Sequence, residues 1–255
     1  MPTYVQFNLW VILENQKADK EKKMEMDSGE IPIDGDWLRY ENVREGQNCS
    51  AEFRTFSVES KRPIVAISSF PGSGNTWARH LLHMATGYWT GNRRSSNHLK
   101  AAGWAAEDND CKDRTTVAQK THRLSKNHAC EFEMGLVLMR NPFDAILAAY
   151  NHHKAGMTGE PPMEVYEGDD WPKFIHDWAK RWYQFHYEWF KTFEGPIQVS
   201  CFDELVSDPV VEVGRWLNFL KLDHRRLGCI NHDPVGQFYR KKTKDYSHLY
   251  RPKGK

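Results

Sequence analysis

Residues 69–77 read Ser-Phe-Pro-Gly-Ser-Gly-Asn-Thr-Trp, a loop with two glycines and several hydroxyl and amide donors. Glycine lets the main chain turn tightly and approach an anion, and the free N–H groups at the start of a helix favour negative charge. A nucleoside-triphosphate loop needs a lysine where Asn75 stands and a glycine where Ser69 stands. The segment therefore indicates an anion site and disfavours a kinase or an ATPase.

Two later segments add groups suited to transfer chemistry. Lys120-Thr121-His122 joins a cation to an imidazole, the side chain that most often accepts a proton from an attacking hydroxyl. Arg140 follows an apolar run, and its guanidinium suits bidentate binding of a phosphate. We therefore expect a site that holds an anionic donor and activates a hydroxyl.

The elements that must position these groups alternate between strands and helices. The β-branched run Pro63–Phe70 predicts a buried parallel strand, and Trp77, Leu81, Leu82 and Met84 predict a helix that ends at Gly87. Further strands are predicted at Thr116–Lys120, Met134–Met139 and Ile197–Cys201, and helices at Asp144–His153, Trp171–Phe193 and Val210–Leu220. This order predicts an α/β three-layer sandwich with a central parallel sheet and a strand-loop-helix phosphate site.

Two features receive a structural interpretation. Asp144 stands where a helix should start and is expected to cap it. The aromatic stripe of the long helix predicts core packing rather than a stacking platform; its members are Trp178, Trp182, Phe185 and Trp189. Residues 1–61 are polar with little apolar periodicity, which predicts a partly flexible lead-in before a domain at 62–255.

Composition excludes several classes of partner. The 35 Lys and Arg residues nearly balance the 34 Asp and Glu residues, which gives no general attraction to nucleic acid. The twelve histidines show no metal-ligand spacing, and no metal is expected. The apolar patch Val5–Leu13 is shorter than a membrane span, so no membrane segment is expected in this chain. The five cysteines leave one odd thiol even if two disulfides form, so they do not decide between a reducing and an oxidising compartment.

These segments, in this order, resemble the sulfotransferase superfamily. The stretches at 70–77, 140–148 and 236–240 look most like the WSC-domain-containing sialate O-sulfotransferases, and the resemblance covers about residues 62–241. Phe238-Tyr239-Arg240-Lys241 is similar to a late basic motif of that family. This chain shows no WSC domain, which suggests a short relative or an incomplete product.

The resemblance implies a donor, a mechanism and a set of residues. The donor is 3′-phosphoadenosine-5′-phosphosulfate, used without metal, and its ligands are Gly72, Ser73, Gly74, Asn75, Thr76, Trp77, Arg140, Arg240 and Lys241. Lys120 stabilises the transferring group and His122 acts as base. The implied acceptor is a glycan hydroxyl, in sialic acid, and the implied location is the Golgi. Composition leaves open a phenol, a steroid or a peptide tyrosine as acceptor, and a cytoplasmic location.

Three departures from the family pattern bear on activity. Gly72 replaces a loop lysine. The positive charge of that lysine must then come from another residue, and Lys120 is favoured over Arg79. Ala148 replaces a serine that contacts the 3′-phosphate, and Phe202 replaces a tyrosine on the adenosine side. The missing loop lysine, Ala148 and the short C-terminus motivate one alternative, a catalytically impaired protein that binds donor. A nucleotide-dependent phosphotransferase is the remaining alternative. Oligomeric state is not predicted.

Overall fold

The computed structural model describes residues 49, 52–60, 62–92, 94–123, 130–238, 244–246 and 249. Four strands form one sheet: β1 (Val65–Ser69), β2 (Gln119–Thr121), β3 (Met134–Met139) and β4 (Ile197–Cys201). The sheet order is β2-β1-β3-β4, and all neighbours are parallel. The carboxyl ends of all four strands therefore meet at one edge.

Helices cover both faces of this sheet. They are α1 (Asn75–Thr86), α2 (Asn97–Ala101), α3 (Pro142–Ala155), α4 (Asp170–Tyr187), α5 (Phe202–Ser207) and α6 (Pro209–Phe219). Helices α1 and α6 pack on one face through Leu81, Leu82 and Trp216, while α3 and α4 pack on the other through Ile146 and Trp182. The predicted α/β three-layer sandwich is confirmed.

Two predicted boundaries shift for local reasons. Strand β2 starts at Gln119 and not at the predicted Thr116. The main chain of Val117 and Ala118 hydrogen-bonds instead to Trp89 and Gly91, which run along the outer side of β2. The prediction that Asp144 caps α3 is wrong. Asn141 is the cap residue, since its side chain accepts from the Phe143 N–H at 2.9 Å, and Asp144 lies in the first turn.

The aromatic stripe of α4 packs into the core as predicted. Trp182 and Phe185 are buried, and Trp189 is buried in a single π-helical turn, Glu188–Thr192, that follows α4. Trp178 stacks on Phe174 and meets the edge of Phe70. Because Phe70 opens the loop after β1, this packing supports the floor of that loop.

Two disulfides tie distant parts of the chain together. Cys49 is bonded to Cys229, and Cys111 to Cys130, and Cys201 takes part in neither bond. Near Cys49, Phe53 and Phe56 pack against the α1 face of the core. The described part of residues 52–60 is thus attached to the fold, and the division at residue 62 stays a prediction.

Candidate active site

The loop between β1 and α1 forms an open helix terminus. Gly74 is the N-cap of α1 in the left-handed conformation (φ 89°), no side chain caps the helix, and no acidic residue lies in its first turn. The first N–H groups of a helix have no intrahelical acceptor. The Ser73 side chain is fully buried, and its Oγ has no hydrogen-bond partner among the described residues. This terminus has donors that an anion would satisfy.

Gly72 explains why this loop has no lysine. Its φ is +85°, and an added Cβ would lie 2.1 Å from the Ala145 carbonyl oxygen and 2.8 Å from the Ala149 nitrogen of α3. Both contacts are with main-chain atoms, which cannot rotate away. The loop is therefore packed directly on α3, and any side chain at position 72 would force the two apart.

Arg140 lies against this loop, as the sequence predicts. Its Nη1 donates to the Gly72 carbonyl at 2.7 Å, and its guanidinium lies over the Phe202 ring at 4.2 Å. The same ring fills the space beside Gly74 and meets the edge of Trp77. Phe202 is thus a platform for the loop and for Arg140, a role that its sequence position did not reveal.

His122 follows β2 at the same edge of the sheet. Its Nδ1 donates to the Ser69 carbonyl at 2.7 Å, because a carbonyl can only accept. That bond fixes the tautomer and leaves the Nε2 lone pair as the proton acceptor. Burial, and then the nearby Lys120 charge, lower the pKa of His122 to about 3. The imidazole of the protein without ligand is therefore neutral at pH 7.

Lys120 and Arg79 differ in how their charges are compensated. Arg79 is fully buried, forms an ion pair with buried Glu107, and donates from Nε to Thr90 Oγ1 at 2.7 Å. Lys120 makes no such pair in the described structure. Burial, and then the Arg79 charge, lower the pKa of Lys120 to about 8, against the opposing effect of Glu107. Of these two cations, Lys120 is the one that no carboxylate of the described residues pairs with.

A cavity of about 160 Å³ opens beside the first turns of α1. Its lining includes Thr76 and Trp77, and also Trp104 and Phe238, whose ring centroids lie 6.2 Å apart. The indole Nε1 of Trp77 donates to the Pro234 carbonyl at 2.7 Å, which joins α1 to the segment before Phe238. The aromatic walls suit a flat, apolar ring.

One predicted ligand has a structural role in the loop, and two others lie outside the described residues. The Asn75 Nδ2 donates to the Ile67 carbonyl at 3.1 Å and to Ser69 Oγ at 3.2 Å, so this side chain secures the loop to β1. Its main-chain N–H remains a predicted ligand. Arg240 and Lys241 lie outside the described residues. Sequence reasoning missed Glu107, since nothing in its local pattern marks a buried carboxylate.

The described residues lack a metal-binding cluster and a membrane-spanning helix. They contain no group of three or more His, Cys, Asp or Glu side chains arranged to hold a metal ion. None of the helices in the described ranges has both the length and the apolar character required to cross a membrane.

Relatives with known sequences match most of this chain. A WSCD family member of Drosophila melanogaster is 32% identical over 191 residues, which are 73% of this chain and 60% of the relative. A WSCD family member of Drosophila pseudoobscura pseudoobscura is 34% identical over 191 residues, with the same coverage. One of Aedes aegypti is 31% identical over 186 residues, which are 71% of this chain and 58% of the relative. The chain is a WSCD-family homologue.

This WSCD-family homologue spans about 60% of the length of the relatives it matches. No family model matches its sequence. Among solved structures, a sulfotransferase from Alicyclobacillus acidocaldarius is 16% identical and aligns with a TM-score of 0.37, covering 65% of this chain and 83% of that structure. The resemblance to WSC-domain-containing proteins, predicted from three motifs, is confirmed by the relatives.

Proposed function

We propose that this protein is a sulfotransferase that moves a sulfuryl group from 3′-phosphoadenosine-5′-phosphosulfate to an acceptor hydroxyl. One observation supports this most: an uncapped helix terminus with an unpartnered, buried Ser73 hydroxyl meets Arg140 and a neutral His122 at a single sheet edge. Anion donors, a phosphate-binding guanidinium and a base are the groups that sulfuryl transfer needs.

The residues present fit the donor. The main-chain N–H groups of Gly72–Trp77, together with Ser73 and Thr76, would hold its 5′-phosphosulfate. Arg140 would bind the 3′-phosphate, joined by the predicted ligands Arg240 and Lys241. Trp77 and the aromatic cavity would receive the adenine. The Phe202 ring cannot donate a hydrogen bond, so it would support the nucleotide by packing alone.

The transfer step is a displacement at sulfur. The acceptor hydroxyl oxygen forms a bond to sulfur while the bond from sulfur to the 5′-phosphate oxygen breaks, and the hydroxyl proton passes to Nε2 of His122. The leaving group is 3′-phosphoadenosine-5′-phosphate. Lys120, rather than the paired Arg79, offsets the charge that develops on the transferring group. This scheme requires no metal ion.

The acceptor and the compartment complete the proposal. We assign a glycan hydroxyl, on sialic acid, following the family resemblance. The two disulfides support a compartment that is oxidising, such as the Golgi lumen, because thiols stay reduced in the cytosol.

The donor site is tested by calorimetric titration with 3′-phosphoadenosine-5′-phosphate. Replacing Arg140 by alanine is expected to weaken binding by about 10- to 150-fold, since a hydrogen bond to a charged group contributes about 1.5–3 kcal/mol. Arg181→Ala is the matched control, because Arg181 also lies over an aromatic ring, at 5.6 Å, but away from the loop. Binding that survives in a folded Arg140→Ala protein would contradict the proposed donor site.

The titration, combined with a turnover assay, separates an enzyme from a catalytically impaired donor-binding protein. If the wild-type protein binds the nucleotide but no sialylated acceptor is sulfated with labelled donor, the impaired alternative is favoured. If ATP with Mg²⁺ is hydrolysed instead, the phosphotransferase alternative is favoured.

The pH dependence of donor binding tests Lys120. The pKa of Lys120 is lowered to about 8, so the free protein holds this charge below that pH and loses it as pH rises. Affinity for 3′-phosphoadenosine-5′-phosphate should therefore fall above pH 8, by up to about tenfold per pH unit. Lys120→Met should bind more weakly and show little change between pH 7 and about pH 9.5. A flat wild-type profile over this range would remove Lys120 from the site.

A further inference from the structure

The segment that runs outside β2 brings a second arginine to the reacting edge. Gly91 pairs with Gln119 in parallel, and the Lys120 N–H donates to the Gly91 carbonyl at 2.8 Å. Arg94 lies three residues beyond Gly91, and its charge is close enough to His122 to lower the pKa of that imidazole. The turn after Gly91 therefore lies beside the proposed base, on the side of the sheet edge away from Arg140.

A buried carboxylate holds this turn in place. Glu107 is fully buried and accepts from Asn92 Nδ2 at 2.8 Å and from the Ser96 N–H at 3.2 Å. The Asn92 Oδ1 in turn accepts from the Arg94 N–H at 3.1 Å. The main chain at Arg94 is thus fixed from inside the protein, while its side chain is exposed. Such an arrangement presents a guanidinium at a set position.

The charge around His122 is unbalanced. Lys120, Arg79 and Arg94 all lie close enough to lower the pKa of His122, although burial is the largest cause. Glu107 is the carboxylate that acts against them at Lys120, and it is already paired with Arg79. Arg94 forms no ion pair with any described residue. The donor would offset Lys120 and leave the Arg94 charge for another anion.

We propose that Arg94 binds an anionic group of the acceptor, specifically a carboxylate, and that Asn92 and Glu107 position the turn that presents it. A guanidinium pairs with a carboxylate through two parallel hydrogen bonds, which orients the acceptor as well as holding it. The inference rests on the proposed function, because it requires the acceptor to lie beside His122. It adds a residue that selects the acceptor.

The test measures acceptor binding without turnover. Protein saturated with 3′-phosphoadenosine-5′-phosphate is titrated, with detection by NMR, with N-acetylneuraminic acid and glucuronic acid and with the methyl ester of each. The acids should bind about tenfold more tightly than their esters, as expected for a charge-assisted pair. Arg94→Gln should abolish this difference. Arg225→Gln, which removes an exposed guanidinium from a remote ion pair with Asp223, should retain it.

A double-mutant comparison tests the positioning residue. Asn92→Ala should weaken binding of the acids in the wild-type background and have no further effect in Arg94→Gln, because both changes remove the same contact. A purely structural loss would weaken binding equally in both backgrounds. Asn92 is used because Glu107→Gln would leave the buried Arg79 charge uncompensated and could prevent folding.

The possible failures are distinct. Equal binding of acid and ester, or binding of neither while the nucleotide binds, overturns the role of Arg94 and leaves the donor site standing. Absence of nucleotide binding contradicts the proposed function, and the titrations are then repeated without nucleotide. Arg94-dependent discrimination between acid and ester in that setting would support a carboxylate site at this turn, and its absence would overturn one.

Discussion

His122→Ala is expected to lower kcat for sulfuryl transfer by about 10²–10⁴-fold, the usual contribution of a general base. Affinity for 3′-phosphoadenosine-5′-phosphate should be unchanged, since Nδ1 bonds to the Ser69 carbonyl and the proposed mechanism assigns Nε2 to the acceptor and not to the nucleotide. Single-turnover measurements with labelled donor would separate the chemical step from binding. The expected loss of kcat is large because no other imidazole among the described residues at this sheet edge is held with its Nε2 lone pair ready to accept a proton.

Two control variants limit other interpretations of that loss. His176→Ala removes an exposed histidine from α4 and should leave kcat unaltered. His122→Asn retains a side-chain donor for the Ser69 carbonyl but has no basic nitrogen, so it should be as slow as the alanine variant. If His122→Asn keeps near-normal turnover, the imidazole positions the loop and is not the base.

Gly72→Ala is expected to lower both stability and donor affinity. The left-handed backbone alone costs an alanine about 1–2 kcal/mol. The clash with Ala145 and Ala149 adds about 1–3 kcal/mol, because main-chain atoms of α3 must move. Displacing the loop also moves the Gly72 carbonyl that Arg140 holds, so binding of 3′-phosphoadenosine-5′-phosphate should be lost or severely weakened.

Gly103→Ala is the matched control for this experiment. Gly103 has nearly the same φ, +88°, but an added Cβ there would meet nothing within 4 Å. Thermal unfolding should place the Tm of Gly72→Ala about 2–12 °C below that of Gly103→Ala, at about 2–4 °C per kcal/mol. Equal Tm values for the two variants would show that α3 does not confine the loop.

A lysine at position 72 extends the same argument. Gly72→Lys restores the residue type that related loops use, yet it should bind donor no better than Gly72→Ala. The reason is geometric: the Cβ of any side chain would already overlap α3. The absence of the loop lysine is therefore coupled to close packing between loop and helix, and in the proposed mechanism Lys120, on β2, supplies the compensating charge.

The sequence predicted two strands with their exact bounds, β3 from an apolar run and β4 from alternating apolar residues. The bounds of β3 and β4 matched because Met134–Met139 and Ile197–Cys201 are buried on both faces and bordered by turns. The loop after β1 and the sheet-edge positions of His122 and Arg140 followed from parallel topology. These features depend on neighbours along the chain or on a regular fold.

What the sequence could not show depends on contacts between distant residues. Burial of Glu107 is stabilised by Arg79, 28 positions away, and that pairing is specified by no local pattern. The start of β2 shifted because Trp89 hydrogen-bonds to Val117. The tight contact of Gly72 with α3 is likewise a property of the assembled layers. The proposed acceptor side depends on such contacts between distant residues.

The Cys49–Cys229 bond makes a closed covalent ring of 180 sequence steps. This ring encloses the loop after β1, Lys120, His122 and Arg140. A protease that cuts once anywhere inside the ring would leave two fragments still joined, and they would migrate together on a non-reducing gel. Any loss of activity after such a single cut would therefore reflect local damage and not separation of the donor-binding parts.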